Sequence, residues 1–423
     1  MTLSDFRFDL PPELIAQVPA ERRDEARLLV LDRRSGELTH TQVCDLAAHL
    51  RPGDLLVVND TRVIPARLFG RTASGGAVEV LLIRRVLPPL SARRFSPRQP
   101  LDTAPENPSI RRQGRAPTQE GPTRDERIFG SSCVNDEPVT PSSRLPLAAY
   151  RGAHTPHGST PSDTSNEPTA WLCLGKPGKR LRPGKRITFP ENVCAVVETV
   201  HGNGHYTIAF ENAATVEALV DRHGEIPLPP YIHRPDGPLP LDRTRYQTVF
   251  ASVPGAIAAP TAGLHFTDEL LVAVRQRDVE IATLTLHVGP GTFLPLRCAN
   301  VREHVMAAEW CEIPEATAAR IRQVKAAGGR VVAVGTTTTR ALESAASVHD
   351  VVAAGARWAD CFIVPGHEFR VVDALFTNFH LPGSTLLLLV SAFASRERIL
   401  GTYAEAIRRG YRFYSYGDAM LIQ

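Results

Sequence analysis

The sequence is short of the features that mark membrane proteins, secreted disulfide frameworks and structural metal sites. Its seven cysteines are scattered and include no CxxC pair, which argues against disulfide pairing and against a zinc knuckle. Its most apolar stretch, Thr385 to Ala394, has about half of the ~20 residues that span a bilayer. The first nine residues carry acids and no apolar run, unlike a signal peptide. We therefore expect a cytoplasmic protein that has no membrane partner.

An excess of one charge is also missing. The formal net charge is +3, so binding to nucleic acid through bulk charge is excluded, and any such contact must come from a local patch. The chain has 423 residues and is 43% hydrophobic, which is enough for two or three domains with buried cores.

The segment from Leu87 to Pro168 differs in composition from the rest of the chain. It contains 14 prolines, many serines and arginines, and no apolar periodicity. Such a composition cannot bury enough apolar surface to offset the entropy lost on ordering. Residues 87–168 are therefore predicted to be a disordered insertion, and a tail that binds RNA or a partner is the functional alternative.

The insertion interrupts a β-rich region. The strands predicted there are Val63–Gly70, Ala77–Arg84, Ala170–Leu174, Arg186–Phe189, Cys194–His201 and His205–Phe210. Glycine-containing turns at residues 74–76 and 202–204 join neighbouring strands. We predict a small β-barrel domain over residues 63–210, with the insertion in one of its hairpin loops.

Helical and strand patterns alternate outside that region. The predicted helices are Ala213–His223, Thr267–Asp278, Pro314–Ala327, Arg340–Val348, Ser384–Ser395 and Arg398–Arg409. The predicted apolar strands are Leu28–Asp32, Asp54–Val58, Val279–Leu286, Arg330–Val334 and Cys361–Val364. This alternation is typical of α/β layers around a buried sheet. We predict an α/β domain built from both ends of the chain, residues 1–62 and 211–423, into which the barrel is inserted.

Four consecutive threonines, Thr336 to Thr339, follow Gly335 and the strand that ends at Val334. The backbone N–H groups and the dipole at the start of a helix favour an anion, and Arg340 can act as a further clamp. Function as a carboxylate or phosphate site and a plain N-cap made by one threonine both remain open.

Two glycine-rich turns have a similar character. Residues 287–293 place two glycines after a strand, and residues 259–266 precede a helix. Glycine permits a ligand to approach the backbone closely, although a tight turn explains it equally well.

Four histidines, His265, His287, His304 and His380, lie in or beside these turns. None of the four forms an HxH, HxxxH or HExxH pair, so no metal site is predicted. Each can be a hydrogen-bonded structural histidine, and their shared placement favours at least one general acid or base.

Two polar segments complete the set of motifs. Asn59-Asp60-Thr61-Arg62 follows a strand, where α/β folds place ligand contacts, although an ion pair closing a turn is the alternative. Residues 176–186 hold six cations and no acid, which suits a phosphate backbone or a solvated loop.

Further motifs carry a resemblance that covers nearly the whole chain apart from the insertion. They are Phe8–Gln17, Arg27–Asp32, Asn59–Arg67, Gly224–Ile232, Tyr246–Val249, Ala259–Phe266, Val334–Thr336, Thr377–Pro382 and Tyr416–Met420. Together they resemble the S-adenosylmethionine:tRNA ribosyltransferase-isomerase family of queuosine biosynthesis.

The resemblance implies a reaction between two substrates. The ribosyl part of S-adenosylmethionine is transferred to the aminomethyl group of a 7-deazaguanine base, at the wobble position of a tRNA with a GUN anticodon. The products are epoxyqueuosine-tRNA, adenine and methionine. It also implies an α/β domain with an inserted β-barrel, and we expect a monomer that uses no prosthetic group and no DNA.

The resemblance turns the motif residues into a predicted site. The predicted catalytic residues are His265, His304, Asp60 and His380. The predicted substrate-binding residues are Arg62, Thr261, Phe266, Gly289, Gly291, Thr292, Phe293, Thr336, Thr337, Arg340, Asn378, Tyr416 and Asp418. The predicted tRNA-binding residues are Lys176, Lys179, Arg180, Arg182, Lys185 and Arg186.

Roles follow from chemistry. A histidine or carboxylate can remove the proton beside the positive sulfonium, for which His265, His304 and Asp60 are the candidates. His380 or Asn378 can donate to the departing adenine. Residues 336–340 suit the methionine carboxylate, and Phe266, Phe293 and Tyr416 can stack on a base.

Three residues depart from the family pattern. Ala307 stands where a second histidine is usual, His367 stands where tyrosine is usual, and Thr244 replaces an acid. Ala307 speaks against a mechanism that needs a histidine at that position.

Two other functions remain open. An RNA- or nucleotide-binding module without catalysis needs cations and aromatics more than the titratable turns seen here. A methyltransferase predicts a GxGxG turn after the first strand, and Leu28 to Ser35 has none.

Overall fold

An open sheet of nine strands forms the body of the α/β part, and six further strands close into a barrel. The computed structural model describes residues 1–86, 168–289, 300–346 and 352–423. The strands in these ranges are β1 (Arg27–Leu31), β2 (Leu38–Gln42), β3 (Leu55–Asn59), β4 (Thr61–Val63), β5 (Arg67–Thr72), β6 (Ala77–Val86), β7 (Thr169–Lys176), β8 (Arg186–Thr188), β9 (Cys194–Gly202), β10 (His205–Phe210), β11 (Val253–Ala256), β12 (Glu280–Leu286), β13 (Glu309–Ile313), β14 (Val331–Val334), β15 (Gly355–Ala359), β16 (Ala374–Asn378) and β17 (Ala419–Ile422). The α-helices in the same ranges are α1 (Leu46–His49), α2 (Ala213–His223), α3 (Asp242–Arg245), α4 (Asp268–Arg275), α5 (Glu315–Ala326), α6 (Thr336–Ala345), α7 (Thr385–Ala394) and α8 (Arg396–Arg408).

The open sheet has the order β15-β13-β12-β3-β14-β16-β17-β1-β2. Its centre is parallel, because β12 and β14 both run alongside β3, and β16 runs alongside β14. The central strands are continuous apolar runs that are buried on both faces, as parallel sheets require. Consequently β3, β12, β14 and β16 all end at the same edge of the sheet.

Helices cover both faces of this sheet. Side chains of α6 and α7 lie in one core, and those of α4 lie in the other. Strand β1 contributes to both cores in alternation, since Leu29 and Leu31 face the first while Leu28 and Val30 face the second. The predicted α/β layering is confirmed.

The barrel has the order β10-β7-β6-β5-β8-β9. Alternate residues of its strands point inward and are fully buried, such as Val80 and Leu82 of β6 and Ile208 of β10. Strands β6 and β7 pair antiparallel, with Val86 opposite Ala170, so the two ends of the insertion lie on neighbouring strands. The closed barrel confirms the predicted β-barrel. The insertion predicted in one of its hairpin loops lies outside the described residues.

Three predicted elements were wrong in detail. The strand predicted over 63–70 is two strands, because Pro65 separates β4 from β5 and cannot donate a backbone hydrogen bond. The strand predicted at 361–364 is irregular, and the unpredicted β16 joins the sheet instead. The helix predicted from Arg340 begins four residues earlier, at Thr336.

Candidate functional site

A cleft opens at the sheet edge where the parallel strands end. Its wider part measures about 430 Å³ and is lined by Tyr231, Thr261, Asn378, His380 and Tyr414 among other residues. A narrow continuation shares Thr261, Asn378 and His380, and is lined further in by Val288, Gly335, Thr336, Thr337 and Thr377. Five predicted site residues therefore meet in one cleft: Thr261, Thr336, Thr337, Asn378 and His380.

The N-terminus of α6 forms the inner end of the cleft. Gly335 is its N-cap residue with φ +93°, a conformation that favours glycine, and no side chain caps the helix. The first N–H groups of α6 are thus left without an intrahelical acceptor. The hydroxyl of Thr337 is buried and has no hydrogen-bond partner in the described part of the chain. This end of the cleft offers donors and no acceptor for them, which is the environment of an anion site.

The four threonines divide into two pairs. Thr338 and Thr339 donate their hydroxyl hydrogens back to the carbonyl groups of Val334 and Gly335, at 2.7 and 3.1 Å. Thr336 and Thr337 line the cleft instead. The segment was predicted as a turn before the helix, but it is the first helical turn itself.

Arg340 does not reach the cleft. Its guanidinium is buried and forms an ion pair with the buried carboxylate of Glu309. Three of its other hydrogens go to the carbonyl groups of Cys361, Ala359 and Ala307, at 3.2–3.3 Å. The predicted clamp on a ligand carboxylate is therefore corrected, because α6 starts at Thr336 and turns this side chain into the protein.

Glu309 also holds the glycine-rich turn after β12. Its second carboxylate oxygen accepts the N–H of Gly289 at 2.9 Å. The predicted residue Gly289 is thus fixed beside the inner cleft by the same pair that fixes α6. Gly291, Thr292 and Phe293 lie outside the described residues.

A chain of hydrogen bonds connects three predicted residues at the wall of the cleft. The hydroxyl of Thr261 donates to the side-chain oxygen of Asn378 at 3.1 Å, and the Asn378 amide donates to Nε2 of His265 at 3.0 Å. The other amide hydrogen of Asn378 goes to the carbonyl of Tyr414 at 3.2 Å. His265 also shares a hydrogen bond with the Arg23 backbone, and burial lowers its pKa to about 4. His265 is therefore a neutral imidazole with two hydrogen bonds, and it orients Asn378. This arrangement does not favour His265 as the base that removes the proton beside the sulfonium.

His380 faces both parts of the cleft. Its Nε2 lies 3.1 Å from the hydroxyl of Thr377, and its backbone N–H donates to the hydroxyl of Tyr403. Among the described residues its other ring nitrogen has no hydrogen-bond partner. Burial lowers the pKa of His380 to about 3, so a neutral imidazole faces the ligand space at neutral pH.

Three predicted residues lie at the same sheet edge outside the described lining of the cleft. Asp60 follows β3, and its carboxylate accepts hydrogen bonds from the hydroxyls of Thr285 and Ser252 at 2.7 and 2.9 Å. Arg62 is exposed. His304 packs against the ring of Phe362, and partial burial lowers its pKa.

Two other predicted residues, Phe266 and Asp418, are buried and have structural contacts. Phe266 is fully buried against Phe250 and Phe376, so it is not available to stack on a base. The Asp418 carboxylate is buried and accepts the backbone N–H groups of Arg27 and Arg412. The backbone here turns both side chains inward, which corrects their predicted contact with substrate.

Tyr416 is also turned inward. Its buried ring meets that of Tyr246 edge-on, with 6.0 Å between the ring centroids, and its hydroxyl lies 3.5 Å from Asp242. A stacking role in the wide cleft, as predicted, does not fit this position.

Two tyrosines that were not predicted as site residues wall the wide cleft. The rings of Tyr231 and Tyr414 meet edge-on, with 3.9 Å between centroids, and the Tyr231 hydroxyl lies 2.5 Å from that of Ser415. Tyr414 has φ +75°, which is uncommon and unfavourable for a bulky residue. Residue 231 falls within a motif of the resemblance, which is the signal that could have found it, whereas no local pattern marks Tyr414.

The six cations of the barrel loop are all exposed: Lys176, Lys179, Arg180, Arg182, Lys185 and Arg186. Lys176 pairs with Glu79 at 3.1 Å, and Arg180 donates to the carbonyl of Ala77. The other four point into solvent without a carboxylate partner in the described ranges. Their contact with a phosphate backbone stays a prediction.

Two negative findings concern the described residues alone. No group of three potential metal ligands comes together in residues 1–86, 168–289, 300–346 and 352–423. No helix of these ranges is long and apolar enough to cross a membrane.

A cleft at the carboxyl ends of parallel strands is where α/β enzymes place their ligands. The family described as queuosine biosynthesis protein matches residues 3–110 and 134–422. An S-adenosylmethionine:tRNA ribosyltransferase-isomerase from Citrifermentans bemidjiense is 46% identical over 423 residues, which cover all of both chains. One from Geotalea uraniireducens is 44% identical over 422 residues, again with full coverage of both. The chain belongs to this family of transferase and isomerase enzymes of queuosine biosynthesis, and the predicted resemblance is confirmed.

A solved structure is also similar. The S-adenosylmethionine tRNA ribosyltransferase from Thermotoga maritima is 30% identical, with 99% of this chain and 100% of that chain covered and a TM-score of 0.46.

Proposed function

We propose that this enzyme transfers and isomerises the ribosyl moiety of S-adenosylmethionine onto a 7-aminomethyl-7-deazaguanine base at the wobble position of tRNA. The products are epoxyqueuosine-tRNA, adenine and methionine. Family membership supports the reaction class. The observation that carries the assignment to this cleft is the uncapped start of α6 with the unpartnered hydroxyl of Thr337.

The inner end of the cleft is proposed to bind the methionine carboxylate. Free N–H groups, a helix dipole and the Thr337 hydroxyl all complement a negative charge. Arg340 has no part in this contact, because Glu309 already neutralises it. Its role is to hold α6 and the turn at Gly289 in place.

The wider end is proposed to bind a planar base. The ring of Tyr414 is held by an edge-on contact with the ring of Tyr231. It offers an aromatic face of the kind on which bases stack in RNA-binding proteins. The backbone strain at Tyr414 persists because the carbonyl of this residue accepts the Asn378 amide, and such strain is concentrated at functional sites.

His380 is proposed to assist departure of adenine. The leaving base requires a donor at a ring nitrogen, and the amide hydrogens of Asn378 are already bonded to His265 and to Tyr414. The free ring nitrogen of His380 leaves this side chain as the donor between the two parts of the cleft. His265 is proposed to position Asn378 and to take no proton.

Asp60 is proposed as the base that removes the proton beside the sulfonium. A positive sulfonium acidifies that position, so a carboxylate suffices. β3 and β14 are neighbours in the sheet, which places Asp60 at the strand end next to Gly335. Two hydroxyl donors hold the carboxylate in one orientation.

The exposed cations at Lys179, Arg182, Lys185 and Arg186 are proposed to contact the tRNA backbone. Replacing all four by glutamine should weaken tRNA binding and flatten its salt dependence, with no change in KM for S-adenosylmethionine. The GUN anticodon, the monomeric state and the cytoplasmic location stay predictions from the sequence.

One assay tests the proposal as a whole. The purified enzyme is incubated with S-adenosylmethionine and a tRNA that carries the deazaguanine precursor, and both small products and modified nucleosides are measured. Adenine, methionine and an epoxide-containing nucleoside are expected. S-adenosylhomocysteine would indicate a methyltransferase instead, and the absence of any product would indicate a binding module.

A further inference from the structure

Two arginines outside the proposed contacts lie side by side near the cleft. Arg23 precedes β1, and Arg245 ends α3, which brings residues 222 positions apart to one small recess of about 20 Å³. The recess has room for about one water-sized group. Both residues are only partly exposed.

Neither arginine has an acidic partner in the ranges that the structure describes. Arg23 donates to the carbonyl groups of Leu264 and Thr244, both at 3.0 Å. Arg245 donates to the carbonyl groups of Glu21 and Ala20, at 2.9 and 2.6 Å. Each guanidinium thus donates two of its five hydrogens to backbone carbonyl groups, and no carboxylate of the described residues neutralises its charge.

Neighbouring arginines show the usual arrangement. Arg234 pairs with Asp242 at 2.8 Å, and Arg412 pairs with Asp418 at 3.4 Å. Partly buried charges are generally paired in this way because desolvation without a counter-charge is costly. Burial and the positive charge of Arg245 both lower the pKa of Arg23. The recess therefore holds two like charges that have no carboxylate partner among the described residues.

The recess adjoins the cleft. Ser415 lines both of them. His265 lines the recess, and its Nε2 accepts a hydrogen bond from Asn378 at the wall of the cleft. The recess is too small for a whole phosphate group, so an anion bound by the two arginines would lie at its mouth, next to a base in the wide cleft. A nucleotide in RNA has this combination, with a phosphate joined through its sugar to a base.

We propose that Arg23 and Arg245 form a site for a phosphodiester of the tRNA, next to the base that enters the cleft. This inference rests on the proposed function, because it takes tRNA as the partner. Bidentate contact with phosphate oxygens is what the guanidinium fork suits best. The two arginines set the position of the strand, while the cleft recognises the base.

Binding of precursor-bearing tRNA without S-adenosylmethionine tests the site. Affinity is measured for wild type, Arg23→Gln and Arg245→Gln between 50 and 200 mM salt, a range in which phosphate contacts are strongly screened. Each substitution should weaken binding on the order of tenfold. The slope of log K against log salt should fall by about 0.7 for each phosphate that the variant no longer neutralises. KM for S-adenosylmethionine should not change.

Arg320→Gln is the matched control. Arg320 is a partly exposed arginine that pairs with Glu280 at the amino end of β12, the opposite edge of the sheet. Its removal should leave both the affinity and the slope at wild-type values. Unchanged slopes in both cleft-side variants would overturn the proposal. A raised KM for S-adenosylmethionine with unaltered tRNA affinity would overturn it as well, because the anion would then be the methionine carboxylate.

A measurement on the wild-type enzyme avoids any folding defect of the variants. An arginine-selective dicarbonyl reagent is applied with and without tRNA, and modified residues are identified by mass spectrometry. Arg23 and Arg245 should be protected by tRNA while Arg320 reacts equally in both samples. Equal reaction of all three would contradict the site. Adenine release by the same wild-type sample reports separately on the proposed function, so the two can fail independently.

Discussion

The side-chain amide of Asn378 donates to Nε2 of His265 across 3.0 Å, and both side chains are buried. The contact requires a neutral imidazole, since a protonated ring has no acceptor nitrogen. A residue that the sequence presents as a proton carrier is therefore part of the wall that holds Asn378. This relationship has a consequence for stability at low pH.

Acid is expected to destabilise the fold through His265. The unfolded imidazole takes up a proton below about pH 6.5, and the folded one only below about pH 4. The unfolded chain thus binds more protons in this window, so the free energy of unfolding falls as pH drops from 6.5 to 4. The shift corresponds to a loss on the order of 3 kcal/mol. Urea unfolding of wild type and of His265→Gln at pH 7, 6 and 5 should give a shallower pH dependence for the variant, and equal slopes would contradict the assignment.

Thr337→Val should impair binding of S-adenosylmethionine. The substitution keeps the shape and removes a buried hydroxyl that has no partner in the described residues. Loss of a hydrogen bond to a charged group predicts a rise in KM on the order of tenfold, with kcat little changed. Thr338→Val is the control, because its hydroxyl bonds back to the helix at 2.7 Å. Equal KM values in the two variants would contradict the assignment of the methionine carboxylate to this end of the cleft.

His380→Ala should lower kcat on the order of tenfold, the size of one hydrogen bond to a charged group. Negative charge develops on adenine as it leaves, and the neutral imidazole stabilises that charge by donating its N–H, so the loss should fall on kcat with a nearly normal KM. His49→Ala, on helix α1, serves as the control. A variant with wild-type turnover would show that adenine leaves without help from this residue.

Arg340→Ala should act on stability first. Removing one partner of a buried ion pair costs about 3–5 kcal/mol, because the other charge is left uncompensated. Chemical denaturation of Arg340→Ala, Glu309→Ala and the double variant forms a cycle, in which the double variant should be less destabilised than the sum of the two single ones. Additive losses would mean that the pair is not coupled.

Tyr414→Phe and Tyr414→Gly separate stacking from backbone strain. Phenylalanine keeps the ring, so binding should be near normal. Glycine adopts φ +75° without the cost of about 1–2 kcal/mol that an L-residue meets, yet it removes a stacking surface whose loss predicts roughly tenfold weaker binding of the base. KM is measured for both substrates, and the one whose KM rises identifies the base that occupies the wide cleft. Two unchanged values would place neither base there.

Local patterns were sufficient for much of the fold. Residues 330–340 were predicted as a strand, a polar turn and a helix from Arg340, and the structure differs only in where the helix begins. Burial of the strand and the chemistry of the turn act within a few residues. The same holds for the hairpin at residues 202–204 and for the amphipathic helix α2. Signals of this kind predicted an anion site at the start of α6, and that site stays a prediction.

Long-range pairing was beyond such patterns. Arg340 meets Glu309, and Tyr231 meets Tyr414, only because the sheet order brings distant segments together. Nothing near Phe266 in the sequence tells whether its ring faces the core or the ligand. Local patterns found the threonines that line the cleft, whereas Arg340, Phe266 and Tyr416 turn into the protein. Phe293 lies outside the described residues.

The pairing of Val86 with Ala170 has a consequence for how the chain can vary in length. Partner residues on antiparallel strands have Cα atoms about 5 Å apart, so the polypeptide leaves the barrel and returns to it at one point. For any flexible segment, closing a loop between two such points costs only about 0.6 kcal/mol more for each doubling of its length. Scores of residues can therefore be added or deleted between these two neighbouring strands of the barrel, and the register of the strands stays the same.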